Sequence, residues 1–131
     1  MNALRLRAQG PPRILLFARP GELAETVRES LELQGCEVQH ITGDESFLES
    51  VVRHPPEAVL FALQRDTKAD LPLLQLLRRV NSHVPLILLG HEGTLGERQR
   101  LQGFMPSYYV LLPLDEHELT GLEVPTPFAV L

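Results

Sequence analysis

The side chains through which this chain could do chemistry are five histidines, one cysteine and a scatter of loop acids. The histidines are His40, His54, His83, His91 and His117. No two have the spacing of a zinc-ligand pair, and Cys36 is remote in sequence from most of them, so they read as scattered surface or strand histidines. Cys36 stands directly after a helix stop and reads as a small buried apolar residue rather than a nucleophile. Glu22, Asp66, Asp70, Glu92 and Asp115 fall in expected loops near one edge. Loops are polar for solvation alone, and a rebuilt Mg²⁺ site is not expected from them. The Ala18-Arg19-Pro20-Gly21 turn has one glycine and a proline without an amide, so it makes no phosphate cradle. Gly90-His91-Glu92-Gly93 is too short for one. No catalytic constellation, metal site or cofactor site is expected.

Composition sets the class. The chain has 131 residues, 44% of them apolar, enough for the core of one domain and too many for a disordered chain. Twelve basic against seventeen acidic residues give a formal charge of −5, which opposes binding to a phosphate backbone. One cysteine excludes an internal disulfide. Apolar runs such as Ile14–Ala18 and Leu86–Leu89 are far shorter than the roughly 20 residues a membrane span needs. No signal-peptide pattern opens the chain. The expectation is a cytoplasmic domain that binds neither nucleic acid nor membrane.

The elements that would position any site follow from periodicity. Residues 1–13, with three arginines, Gly10 and Pro11-Pro12, read as a flexible basic arm. Ile14–Ala18, Ala58–Leu63 and Pro85–Leu89 are continuously apolar, the mark of strands buried on both faces. Cys36–Ile41 alternates and reads as a more exposed strand, and Tyr108–Leu112 as a fifth, with one tyrosine facing in and its neighbour out. Pro20-Gly21 opens a helix with Leu23, Val27 and Leu31 on one face, closed by Gly35. Thr42 and Glu45 have capping-box spacing before a helix with Phe47, Leu48, Val51 and Val52 on one face, stopped by Pro55-Pro56. Gln64–Asp70 reads as a polar loop. Leu71–Val80 is a helix, apolar at 73, 74, 76, 77 and 80. A short, loosely packed helix is expected near 95–102, and Asp115, Glu118 and Gly121 frame a brief last one. Residues 14–122 form the domain, and 123–131 a linker stub or docked tail. Strands alternating with helices imply a parallel sheet covered on both sides, with function at the strands' carboxyl ends.

Over roughly residues 14–119 the chain resembles a receiver domain of two-component signalling, the CheY-like fold. Gly35 falls on the glycine after the first helix. Pro56-Glu57-Ala58-Val59-Leu60-Phe61 falls on the proline-aspartate-apolar third strand, and Pro85 falls just before the fourth. Tyr109 falls on the switch aromatic of the fifth strand. Pro113 falls on a proline whose peptide bond is usually cis. The resemblance implies a doubly wound five-stranded parallel α/β sheet in the order 2-1-3-4-5, with short or altered fourth and fifth helices.

The signature chemistry of that family is missing. Its two metal-binding acids fall on Ala18 and Arg19, its phosphate-accepting aspartate on Ala62, its hydroxyl residue on Gly90 and its lysine on Leu112. Mg²⁺ needs hard oxygen ligands, phosphoryl acceptance needs a nucleophile, and transferring charge needs a cation. Those side chains supply neither ligands nor nucleophile. Arg19 puts a cation where the family holds a metal, and reads first as an exposed side chain. Ala18, Ala62 and Leu112 are expected to fill the former pocket with apolar atoms. Without a hydroxyl at Gly90, Tyr109 is expected to hold one position and, with Leu111 and Arg98, to anchor a partner. The resemblance therefore implies a non-enzymatic, phosphorylation-independent pseudo-receiver. Such domains occur in bacterial enhancer-dependent regulators, including the flagellar master-regulator group, and in motility and polarity proteins. Its partner would be another protein, a second copy, or an output domain in a longer chain. The alternative is a sensor of a small ligand, a nucleotide or second messenger, on the same fold.

Overall fold

The three continuously apolar segments form the middle of one sheet. In the computed structural model, which describes residues 10–91 and 93–112, they are β1 (Arg13–Phe17), β3 (Ala58–Ala62) and β4 (Leu86–Gly90). The alternating segment β2 (Glu37–Ile41) and the fifth strand β5 (Tyr108–Leu111) lie at the edges, giving a sheet in the order β2-β1-β3-β4-β5. Every pairing is parallel. The register aligns Leu16 with Leu60, Leu60 with Ile87, and Gly90 with Leu111. β4 is buried along its whole length, while β2 exposes Glu37 and Gln39. A strand covered on both faces must be apolar throughout, whereas an edge strand can alternate.

Order begins slightly earlier than the basic arm suggested. Arg13 already belongs to β1: its amide donates to the Glu57 carboxylate at 2.7 Å, and its guanidinium reaches the His54 carbonyl and Gln39. Residues 1–9 lie outside those described, as do the last helix expected over 115–121 and the tail over 123–131.

Helix α1 (Glu22–Leu33) buries Ala24, Val27 and Leu31, with Leu23 half-buried beside them. It ends as Gly35 dictates. Gly35 takes φ +92°, its amide donates to the Glu32 carbonyl, and the Cys36 amide donates to Leu31, both at 3.0 Å. A Cβ is disfavoured in that conformation, so glycine is the residue that allows this pair of closing bonds.

Helix α2 (Asp44–Arg53) corrects two expectations. Its cap is Gly43, in extended backbone and with no side-chain bond, so Thr42 and Glu45 form no capping box. Starting one residue later puts Glu45 second in the helix rather than third, where the box requires it. Val52 is exposed, because it stands about 100° round the helix from the buried Val51. The box forms instead at α4 (Leu95–Gln102): the Glu97 amide donates to Thr94 Oγ1 at 3.1 Å, and the Thr94 amide to Glu97 Oε1 at 2.9 Å. In α3 (Leu71–Val80), Leu73, Leu74 and Leu77 are buried, but Leu76 and Val80 are exposed. As its thin apolar pattern indicated, α4 buries Leu101 alone.

The sheet separates two cores. Alpha-helix α1 closes one over Ile14, Leu16, Leu60 and Leu89. On the opposite face Phe17, Phe47 and Phe61 meet as a triad, with ring centroids 4.8–5.8 Å apart, beside residues of α3 and Leu101. Tilted and edge-on rings at these spacings contribute about 1 kcal/mol per pair beyond their buried area.

One cation ties α3 to the approach to β5. Arg78 donates to the carbonyls of Phe104 at 2.7 Å, Val84 at 2.8 Å, Met105 at 3.2 Å and Asn81 at 3.4 Å. Met105 itself has φ +54°, a left-handed conformation that a non-glycine residue adopts at some cost. Burial holds the Arg78 pKa below its ordinary value.

Candidate functional site

Because β1 and β3 are neighbours whose following segments turn to opposite sides, a crevice opens at their carboxyl ends. It is a cleft of about 600 Å³. Four of the five positions singled out from the resemblance meet there: Ala18 and Arg19 after β1, Ala62 at the end of β3, and Leu112 after β5. Gly90 does not line it. Gly90 is buried under Leu63 and Tyr109. The expectation that Ala18, Ala62 and Leu112 fill this space is corrected. Alanine side chains are too short to fill the space between the strand ends, so these residues make an apolar floor and leave the cleft open.

The cleft's polar atoms are held from one side. Arg19 Nη2 donates to Gln64 Oε1 at 3.0 Å. Gln64 in turn donates to Asp70, from its backbone amide at 2.8 Å and from Nε2 at 3.3 Å. The segment 64–70, expected as a plain polar loop, therefore contains the 3₁₀ turn Thr67–Ala69 and a carboxylate only 2% exposed. Asp70 is a structural pin and not a loop acid available to a metal. His40 Nε2 meets the Ala18 carbonyl at 2.8 Å, which fixes the end of β1 from the β2 side. Among the described residues no group of three or more His, Cys, Asp or Glu is placed to hold a metal ion. Among them, too, no helix is long and apolar enough to cross a membrane. Cys36 is half-buried, and burial first, then Glu57, raises its thiol pKa, which disfavours the nucleophilic thiolate.

Burial also raises the Asp70 pKa, partly offset by the two Gln64 hydrogen bonds. A carboxylate whose folded pKa lies above its unfolded value binds more protons folded than unfolded between the two. Across that window stability falls as pH rises. Asp70→Asn is expected to flatten this part of the pH–stability profile, measured by urea unfolding at a series of pH values from the ordinary aspartate range up to neutrality. An unchanged slope would mean that Asp70 is not the group responsible.

A second site adjoins the first. Tyr109 and Leu111 share one face of β5, and Tyr108 projects to the other and is 46% exposed. The Tyr109 hydroxyl donates to the His91 carbonyl at 3.0 Å, and the Arg98 guanidinium lies 4.4 Å from the ring centroid. A Cβ on Gly90 would stand 2.5 Å from the Tyr109 hydroxyl and 2.9 Å from Leu63 Cδ1. The tyrosine thus occupies the space that any side chain at position 90 would need. Burial raises its pKa, so it stays a neutral donor at physiological pH. Under it lies a cavity of about 50 Å³, room for a water molecule, lined in part by Arg98, whose Nε is buried without a partner. Gln64, Arg65 and His91 line both this cavity and the large cleft. Arg98 and Tyr109, named from sequence as partners in one surface, are in contact; Leu111, 39% exposed, lies next to them along β5. Gln64 and His91 belong to the strand ends where function was expected, but Arg65 was missed, because an exposed loop residue carries no periodic signal. Pro113 lies outside the described residues.

The chain matches no family model and no curated protein. Its structure is similar to that of the chemotaxis protein CheY4 of Vibrio cholerae, with TM-score 0.73 and 12% identity over 84% of this chain and 93% of that one. A CheY-like receiver domain from Methanospirillum hungatei matches with TM-score 0.73 and 17% identity, over 84% and 88% of the two chains. A CheY-like response regulator from Mesorhizobium loti matches with TM-score 0.67 and 24% identity, over 83% and 92%. The fold is that of CheY-like receiver domains.

Proposed function

We propose that this chain is a pseudo-receiver: a non-catalytic, phosphorylation-independent interaction domain of bacterial signalling, serving transcription or motility control. The observation that carries this reading is the composition of the strand-end cleft. Its floor offers Ala62 and Ala18 where phosphoryl transfer would need a carboxylate and metal ligands, and Leu112 where it would need a cation. An alkyl side chain can neither accept a phosphoryl group nor coordinate Mg²⁺.

The interaction surface of this reading is the face around Tyr109, Leu111 and Arg98. A rigid tyrosine with a guanidinium on its ring exposes apolar area at little conformational cost, which suits it to anchor a protein partner. That partner is a second copy, a separate protein, or an output domain in the same polypeptide. Signalling then depends on whether the partner is present and not on covalent modification of this domain.

Incubation with a small acyl phosphate donor and Mg²⁺, followed by intact-mass measurement under mild conditions, tests the reading. The mass is expected to stay that of the unmodified chain, and Ala62→Asp alone is expected not to restore modification, because the metal ligands remain missing. A phosphorylated species in the unaltered chain would overturn the proposal.

A further inference from the structure

The cleft at the junction of β1 and β3 has a charge arrangement that the interaction-domain reading does not use. Arg19 follows β1 and Arg65 follows β3, and both line the cleft, so the segments after both strands bring an arginine to it. Neither makes an ion pair among the described residues. Arg19 gives one hydrogen bond to the neutral Gln64 side chain, and both arginines are exposed. Two carboxylates also line the cleft. Asp66 already accepts the Lys68 amide at 3.1 Å, and Glu22 stands in the first turn of α1, where the aligned peptide dipoles favour its charge. Asp66 is thus served by a backbone amide and Glu22 by its place at the helix start, whereas most of the guanidinium donors have no acceptor among the described residues. Between them the lining is apolar, with Ala62 and Leu112 half-buried and Ala18 and Leu63 buried. A volume of about 600 Å³ is far larger than an inorganic anion needs and falls in the range of small-molecule sites.

We infer that this cleft reversibly binds an organic phosphomonoester, its phosphate held by Arg19 and Arg65 and its body resting on the apolar floor. Planar guanidinium forks match phosphate oxygens, and the floor gives the body a surface to desolvate. No bond is made or broken, so this binding goes beyond the interaction reading and stands whether or not that reading holds.

Amide NMR titrations of the full chain test it, with adenosine monophosphate, phenyl phosphate, inorganic phosphate and adenosine as probes. At least one of the two phosphomonoesters is expected to give saturable shifts at residues 18–23 and 62–66, reversed on dilution. Inorganic phosphate is expected to bind more weakly, and adenosine not at all. Arg19→Ala and Arg65→Ala should each weaken binding about tenfold, as the loss of a charge-assisted contact implies. Glu22→Gln should tighten it by removing a like charge from the rim. All three side chains are exposed, and unchanged spectra elsewhere will report an intact fold. The inference is overturned if neither phosphomonoester gives saturable shifts, if adenosine binds as tightly as its monophosphate, or if Glu22→Gln weakens binding.

Discussion

Gly90→Ala is expected to expel the Tyr109 ring from its present position and to destabilise the domain by about 2 kcal/mol, although it adds a single methyl group. The new Cβ would lie 2.5 Å from the Tyr109 hydroxyl and 2.9 Å from Leu63 Cδ1, both closer than contact allows, and a tight 3.1 Å from Tyr109 Cζ. Gly90 is buried in β4, hydrogen-bonded to the edge strand through the Leu112 amide at 2.8 Å, so its backbone has little room to retreat. The ring is the easier group to move. On leaving, it forfeits the hydrogen bond to the His91 carbonyl, worth about 1 kcal/mol, and the Arg98 contact, worth roughly 0.5–1 kcal/mol. Urea unfolding gives the stability change, and ring-to-Arg98 nuclear Overhauser effects report the displacement. The double-mutant cycle is decisive. In a Tyr109→Ala background the same Gly90→Ala change is expected to be close to neutral, because the methyl then enters the space left by the ring. Equal costs in both backgrounds would show that Leu63 or the strand itself, and not the tyrosine, resists a side chain at position 90.

Arg78→Met should destabilise the domain by roughly 3 kcal/mol, the largest effect expected of any half-buried polar side chain described above. The substitution keeps much of the apolar stem but removes donors from four backbone carbonyls, those of Asn81, Val84, Phe104 and Met105. These belong to three chain segments: the end of α3, the entry to β4 and the turn before β5. Arg78→Lys is expected to recover less than half of the loss, because a compact ammonium cannot span the positions that the guanidinium fork reaches. The midpoint of urea unfolding should fall with little change in slope. A loss below about 0.5 kcal/mol would mean that water replaces the guanidinium at these carbonyls without cost.

The backbone plan was legible because it rests on one-dimensional signals. Three continuously apolar segments read as central parallel strands, and each is one, to within a residue at either end. Gly35 marked the end of α1 because its left-handed backbone is a local requirement. Capping was legible only in part. The same Thr-x-x-Glu spacing occurs at 42–45 and 94–97, and it forms a box at the second alone. Which residue starts a helix depends on how the chain leaves the preceding strand, and that is not a local property. Helix faces were overestimated for a related reason: Val52, Leu76 and Val80 have the right residue type but lie beyond the arc that the sheet covers.

For the site, the sequence by itself determined what chemistry is missing. The identities at positions 18, 19, 62, 90 and 112 decide that no carboxylate, hydroxyl or lysine stands there, whatever their arrangement. Tertiary structure alone decided what space those side chains leave between them. Residue type states which atoms are present but not how far facing elements stand apart, so the expected filled pocket is an open cleft of about 600 Å³. Nor does residue type state where a side chain from another strand will lie. Gly90 and Tyr109 are nineteen positions apart, and only the β4–β5 pairing brings the ring over the glycine. Likewise the Arg19–Gln64 hydrogen bond joins residues that follow different strands, and it exists only once the sheet has aligned their ends.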